Sequence, residues 1–304
     1  MEFGRVPVHE LDKIDFSLPP DTAGTKRTLA AAEPSSELQV YVGASKWGEK
    51  TWVGKIYPPK TPDKEFLPIY CQSFNAVEFS ATFYTNYSAE DMSRWVRQAA
   101  GAPNFKFCPR FPQQISHIRR LVNADEQTAR FYQSLTAFGN HLGPLMLQLG
   151  EKFSPKLFPQ FKDYLSALPR SIPVHIEMRH QAWFNDPESR NNLFELLRDL
   201  NVGTVISDTA GRRDAVHMEL TTNEAFIRFV GNDLAPSDYT RMNEWVERLK
   251  DWKAMGLKKV WFFMHQNNER FVLEACDYLI KRLNEKLGTA IPGPRFLNGS
   301  SLFS

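Results

Sequence analysis

Cysteine is scarce. The 304 residues hold three, Cys71, Cys108 and Cys276, far apart and odd in number. No CxxC pair occurs, so neither a disulfide framework nor a cysteine zinc site is expected, and the chain fits a reducing compartment. No run of about 18 apolar residues is present, so no membrane span is expected. The opening Met1-Glu2-Phe3-Gly4-Arg5 lacks an apolar core of the secretory type. Cytoplasmic placement is therefore the expectation. An excess of charge is missing too: 37 basic residues face 35 acidic ones, a net charge of +2. General affinity for nucleic acid or for an anionic membrane is not indicated, although a local cationic pocket stays open. The sequence has no GxGxxG and no Walker A pattern, so it names no cofactor.

What is present is a rhythm. Eight short apolar runs fall at 39–43, 76–80, 105–109, 145–149, 174–178, 203–208, 226–230 and 260–264. Helical patterns lie between them, at 91–96, 126–141, 156–168, 188–200 and 239–255, and one follows at 270–287. Ser88 and Asp238 are candidate N-caps and Gly256 a candidate C-cap. Strands alternating with helices read as parallel βα units, and eight units are the count of a single TIM-type (β/α)8 barrel. The alternative is an open doubly wound sheet. It more often carries a glycine-rich first turn, whereas here that turn reads Gly43-Ala44-Ser45-Lys46-Trp47-Gly48. The barrel domain is expected over residues 38–290. Segments 1–37 and 291–304, rich in proline, glycine or serine and poor in apolar periodicity, are read as tails that pack on the body or stay mobile.

The most informative stretch is 173–184. It begins as a strand at Val174 and Ile176 and ends in Glu177, Arg179, His180 and Trp183. Alternation puts His175, Glu177 and Arg179 on one face, crowded toward the C-terminal end where α/β proteins place their chemistry. Other strands end the same way. Glu78 and Ser80 close the second, Lys106, Cys108 and Arg110 the third, and Gln148 the fourth. Asp208 closes the sixth, Arg228 lies in the seventh, and His265, Gln266 and Asn267 end the eighth. If all point inward, Glu78, Glu177 and Asp208 face Arg110, Arg179 and Arg228 in one ring. Arginines planted beside acids suit an anionic ligand read in bidentate fashion, whereas a metal cation would repel them.

The pieces at 77–84, 115–117, 143–149, 176–183 and 227–231, with 43–47, 52–58 and Ser207-Asp208, resemble the domain of unknown function 72 (YecE-like) family over about residues 39–287. The resemblance implies a TIM-type barrel and carries no activity with it. The chain departs from the family pattern at Ser80, where asparagine is usual, near Pro109-Arg110, where lysine is usual, and at Met264-His265-Gln266 before the Asn267-Asn268 pair.

The leading expectation is an enzyme of hydrolase or isomerase type acting on a small anionic or polyhydroxylated substrate at the C-terminal mouth. Acid–base chemistry runs through Glu177 with His117 or His180, and Asp208 is counted with them. Arg110, Arg179 and Arg228 hold the anion. Glu78, Gln148, Trp183, Tyr84 and Asn267 complete the binding set. His175, deeper in its strand, reads as a satisfied core histidine. One alternative is a metal-dependent hydrolase using Glu78, Glu177, Asp208 and His265. Another is a non-catalytic barrel binding protein or nucleic acid through a basic stripe at Arg110, His117, Arg119 and Arg120.

Overall fold

The computed structural model describes residues 3–32 and 37–297. All eight expected strands form: β1 (Gln39–Ala44), β2 (Ala76–Phe79), β3 (Lys106–Pro109), β4 (Leu145–Gln148), β5 (Val174–Glu177), β6 (Gly203–Asp208), β7 (Glu224–Gly231) and β8 (Lys259–Gln266). Paired strands run parallel, because an intervening helix or long crossover returns the chain to the same end of the sheet.

The ladder does not close into the (β/α)8 barrel that the strand count implied. Six strands pair in the order β1-β8-β7-β6-β5-β4 as an open, strongly curled sheet, and β2 and β3 pair apart from it. Side chains explain the break between β1 and β2. Val42 N donates to Asn75 Oδ1 at 2.8 Å, and Asn75 Nδ2 donates to Val40 O at 2.8 Å. The Tyr70 hydroxyl accepts from Ala44 N at 2.7 Å and donates to Ala76 O at 3.0 Å. These groups occupy the backbone sites that a continuous ladder would use. A Cβ on Gly43 would lie 1.9 Å from Ala76 O, so the missing side chain permits this approach. Between β3 and β4 the crossing bonds are isolated, Gly143 N to Phe107 O at 2.7 Å and Phe111 N to Met146 O at 2.9 Å.

Inside the curl, Cys108, Met146, Val205, Phe226, Trp261 and Phe263 form a small apolar cluster. A larger core lies between the outer face of the strands and the helices. One pleat above the inner cluster the same faces turn polar, which makes the C-terminal end of the strands the candidate mouth. Toward the other end, His175 fills the space that Gly203 leaves and packs on Phe226. Contrary to the expectation of a satisfied histidine, its ring nitrogens find no hydrogen-bond partner among the described residues.

The helices follow the sequence pattern with small shifts. Ser88 caps Ala89–Gln98 in a capping box with Asp91, and Gly256 ends Pro236–Met255 with φ 121°. Asp238 is not the N-cap. Ala235 is, and the Asp238 carboxylate instead accepts from Asn232 N and Leu234 N in the preceding loop. The stretch 126–141 divides into an α-helix, Asp125–Leu135, and a 3-10 segment, Thr136–His141. A helix not anticipated, Phe66–Ser73, carries Tyr70 to the seam.

The described part of the N-terminal segment packs on the chain that follows β6 and on helix Pro236–Met255. It contains the helix Ala23–Ala30, capped by Thr22. Asp21 accepts from Arg248 and Trp252, and Thr25 donates to Met218 O at 2.8 Å. Ile291 is buried, whereas residues 33–36 and 298–304 lie outside the described part of the chain.

Candidate functional site

Five strands bring their inward side chains to one hydrogen-bonded ring. Arg228 of β7 donates through Nε and Nη2 to the two oxygens of Glu78 on β2, at 2.7 and 2.9 Å, and through Nη1 to Glu177 Oε1 on β5 at 2.7 Å. His265 of β8 meets Glu78 Oε2 through Nε2 at 3.1 Å, and Ser80 donates to Glu78 Oε1 at 2.9 Å. Ser207 of β6 donates to Glu177 Oε1, and Arg179 donates to Glu177 Oε2 through Nε and Nη2. Glu78, Glu177 and Arg228 are fully or nearly fully buried. Unpaired, each would cost several kcal/mol in this position; the fork geometry of Arg228 satisfies both acids at once.

The acids respond to these partners. Burial pushes the Glu177 carboxyl up, but Arg179 and Arg228 outweigh it and bring it down to about 2. Glu78 is likewise held well below the carboxylate range, burial opposing and Arg228 and His265 prevailing. Both are ionised and hydrogen-bonded at neutral pH. They hold the arginines in place.

A cleft of about 370 Å³ opens beside the ring, and Ser116, His117, Arg120, Gln148, Glu151, Lys152 and Arg179 contribute to its wall. Its size suits a small molecule. Arg110, on the chain leaving β3, lies close by, its guanidinium carbon 3.7 Å from the centre of the Phe83 ring. It is 8 % exposed, and its Nε has no hydrogen-bond partner among the described residues. Burial and the Arg228 charge lower its pKa to about 10, so it remains a cation at neutral pH.

His117 stands on a π-helical turn, Gln114–Ile118, a distortion frequent at functional sites. Its Nδ1 pairs with Ser116 Oγ at 2.8 Å, and its ring meets Phe83 edge-on at 4.9 Å. Burial, then Arg110 and Arg179, lower its pKa to about 4, which leaves the imidazole neutral at pH 7. The chain beyond it holds Arg120, Leu121 and Asn123 at φ 48°, 71° and 49°, strained for residues with side chains. Gln148, buried, lines the same cleft with its Oε1 unpartnered among the described residues.

Other expected members are not brought together. Asp208 follows Ser207 in β6 and therefore points to the opposite face. There its carboxylate accepts from Arg241 Nε at 3.2 and 3.3 Å, from Trp245 Nε1 at 2.7 Å and from Arg213. Burial raises its pKa, but Arg241 and Arg213 prevail and lower it. Trp183 is buried, donates to Phe153 O at 2.6 Å and packs on Phe158 and Phe161, so it belongs to the core. His180 accepts Ala182 N at 3.1 Å and shapes the turn into Ala182–Asn185. Tyr84 is largely exposed with its ring edge-on to Phe83, and Asn267 is half-buried after β8.

The metal quartet also dissolves. Arg228 stands between Glu78 and Glu177, Asp208 faces away, and among the described residues no three His, Cys, Asp or Glu side chains converge as ligands would. Of the basic stripe, Arg119 and Arg120 are exposed while Arg110 is buried. Two residues escaped the sequence reading. Ser207 was legible from the Ile206-Ser207-Asp208 alternation. Arg241 sits among Met242, Trp245 and Leu249 on the buried stripe of its helix, where a lone cation signals a buried acid opposite.

The class this defines is an α/β protein with a curled parallel sheet and a charged, arginine-rich site at the strand ends. The chain belongs to the family described as "Protein of unknown function DUF72", whose model matches residues 41–295. UPF0759 protein YecE of Escherichia coli (strain K12) is 27% identical over 282 residues, covering 87% of this chain and 100% of that protein. The crystal structure of a DUF72 family protein from Enterococcus faecalis V583 superposes with a TM-score of 0.62 at 14% identity, covering 84% of this chain and 100% of that one. One from Thermotoga maritima MSB8 gives 0.59 at 20% identity, covering 83% and 100%. These likenesses establish a shared fold. Among the described residues no helix is long and apolar enough to cross a membrane.

Proposed function

We propose that the cleft binds a small anionic molecule, a carboxylate or phosphate ester, and acts on it by acid–base chemistry of hydrolase or isomerase type. The observation that carries this reading is Arg110. The ring is internally matched, with Arg228 and Arg179 against Glu78 and Glu177. Among the described residues Arg110 is nearly buried against Phe83 and has no carboxylate bonded to its guanidinium. A buried cation without an acid is costly, and an incoming anion removes that cost. Arg179, fixed by Glu177, and Gln148 supply further polar contacts. Proton transfer falls to His117, the neutral imidazole in the cleft wall, and Glu177 serves to orient arginine.

The test is calorimetric titration of the wild-type protein and the Arg110→Met variant with inorganic phosphate at constant ionic strength. Loss of a charge-assisted contact at this site weakens binding by about tenfold or more. Equal affinity in the two proteins sinks the reading. A His117→Asn variant that still binds phosphate but no longer turns over a chromogenic phosphate or carboxylate ester supports the division of roles. Undiminished turnover in that variant removes His117 from it.

A further inference from the structure

Arg179 meets more than Glu177. Its guanidinium carbon lies 4.4 Å from the centre of the Phe3 ring, and that of Arg212 lies 4.9 Å from the same ring. Phe3 belongs to the N-terminal segment, outside the residues 41–295 that match the family. It is nonetheless only 5 % exposed and joins the main core. Its backbone is anchored. Phe3 O accepts from Thr209 Oγ1 at 3.1 Å, and Gly4 O accepts from Gly211 N at 2.7 Å. Gly4 has φ +71°, and a Cβ there would lie 2.4 Å from Thr209 Cγ2, so this close approach requires glycine. Arg212 is locked in turn by two bonds to Asp214, at 2.8 and 2.7 Å.

We infer that Phe3 is a positioning residue of the anion site: the face of its ring holds the Arg179 guanidinium so that it keeps its bonds to Glu177 while forming part of the cleft wall. The inference rests on the anion reading above. An aromatic ring attracts a cation through the negative charge of its face, an attraction that strengthens where water is excluded. Hydrogen bonds made in the plane of a guanidinium restrain its tilt out of that plane less than its position within it. A ring against its plane removes this freedom before the ligand arrives, which spares the ordering cost on binding. The segment ahead of the family-matched region thus completes the wall of a site whose acids come from β2 and β5.

Three variants decide the matter in the full chain. Phe3→Leu keeps the apolar burial and removes the ring. Phe3→Trp keeps a ring, and Phe3→Ala removes both. Titration with inorganic phosphate gives the dissociation constant, and thermal melting reports whether each variant is folded. Phe3→Leu is expected to bind phosphate about fivefold more weakly, and Phe3→Trp within about twofold of wild type. If Phe3 merely packs, Phe3→Leu binds phosphate as wild type does, and the inference is overturned. Equal weakening in Phe3→Leu and Phe3→Trp overturns it as well, because the ring face is then irrelevant. A wild-type protein that binds no phosphate overturns the anion reading together with this inference, whereas wild-type affinity matched by Phe3→Leu overturns this inference alone.

Discussion

Two buried charge clusters stand back to back on β6. Ser207 faces the ring of Glu78, Glu177 and Arg228, while Asp208, the next residue, faces Arg241 on helix Pro236–Met255. Both are buried and dense in arginine and carboxylate. The outer cluster is closed. Arg241 spends Nε, Nη1 and Nη2 on Asp208, Asp238 and Val230 O, and Trp245 takes a further Asp208 oxygen. The inner one adjoins a cleft and carries an arginine more than its acids need. Burial of charge alone does not mark a site of action, since a structural ion cluster perturbs its acids too. The mismatch in the count, together with the cleft beside it, separates the two.

Removing the central cation should have the largest effect. Arg228→Met leaves two carboxylates buried without their shared partner and should cost about 3–5 kcal/mol in denaturant unfolding. Asp208→Asn, which retains an acceptor toward Trp245, should cost less, about 2 kcal/mol, and leave phosphate affinity unchanged. A tenfold drop in affinity in that variant would break the comparison.

Next comes acid. Glu177 ionises near 2 in the folded chain, against an ordinary value of 4.5. Its stabilising contribution is therefore complete above about 4.5 and is lost as pH falls toward 2. In Arg228→Met the cation that lowers both acids is gone, so acidification should relieve repulsion. Melting temperatures from pH 7 to pH 3 should fall in the wild type and fall less, or rise, in the variant. Parallel curves would show that Arg228 does not govern these acids.

The smallest effect is a shift in one titration. His117 should titrate near 4 by NMR, and after Arg110→Met it should move up toward the ordinary value of a histidine, because burial persists but a neighbouring charge is gone. An unmoved titration would place Arg110 too far away to act on the imidazole.

Much of the architecture was legible in the apolar runs. All eight strands form where β-branched and aromatic residues cluster, and period-two alternation brought Glu78, Glu177, Arg228 and His265 to one ring. The same rule, applied to Ser207 and Asp208, sends Ser207 inward and Asp208 outward. Closure was not legible. Whether β1 pairs with β2 depends on where the Asn75 and Tyr70 side chains land, and no periodicity records that. The role of Trp183 was equally hidden, since an indole beside a charged strand end reads alike whether it lines a cleft or donates to Phe153 O. Phe3 lay in a stretch without pattern because its contacts are to residues some 200 positions away, such as Thr209.

The seam at Asn75 has a mechanical meaning. A carboxamide is a peptide group carried on a side chain, and here it stands in for a length of strand that is not there. Along this edge the two sheets are joined by rivets rather than by a weld. Glu78 and the residues leading to Arg110 ride on one plate, and Glu177, Arg228 and His265 on the other. The salt bridge from Arg228 to Glu78 therefore does a second job, as a crossbar between two plates that share few backbone bonds.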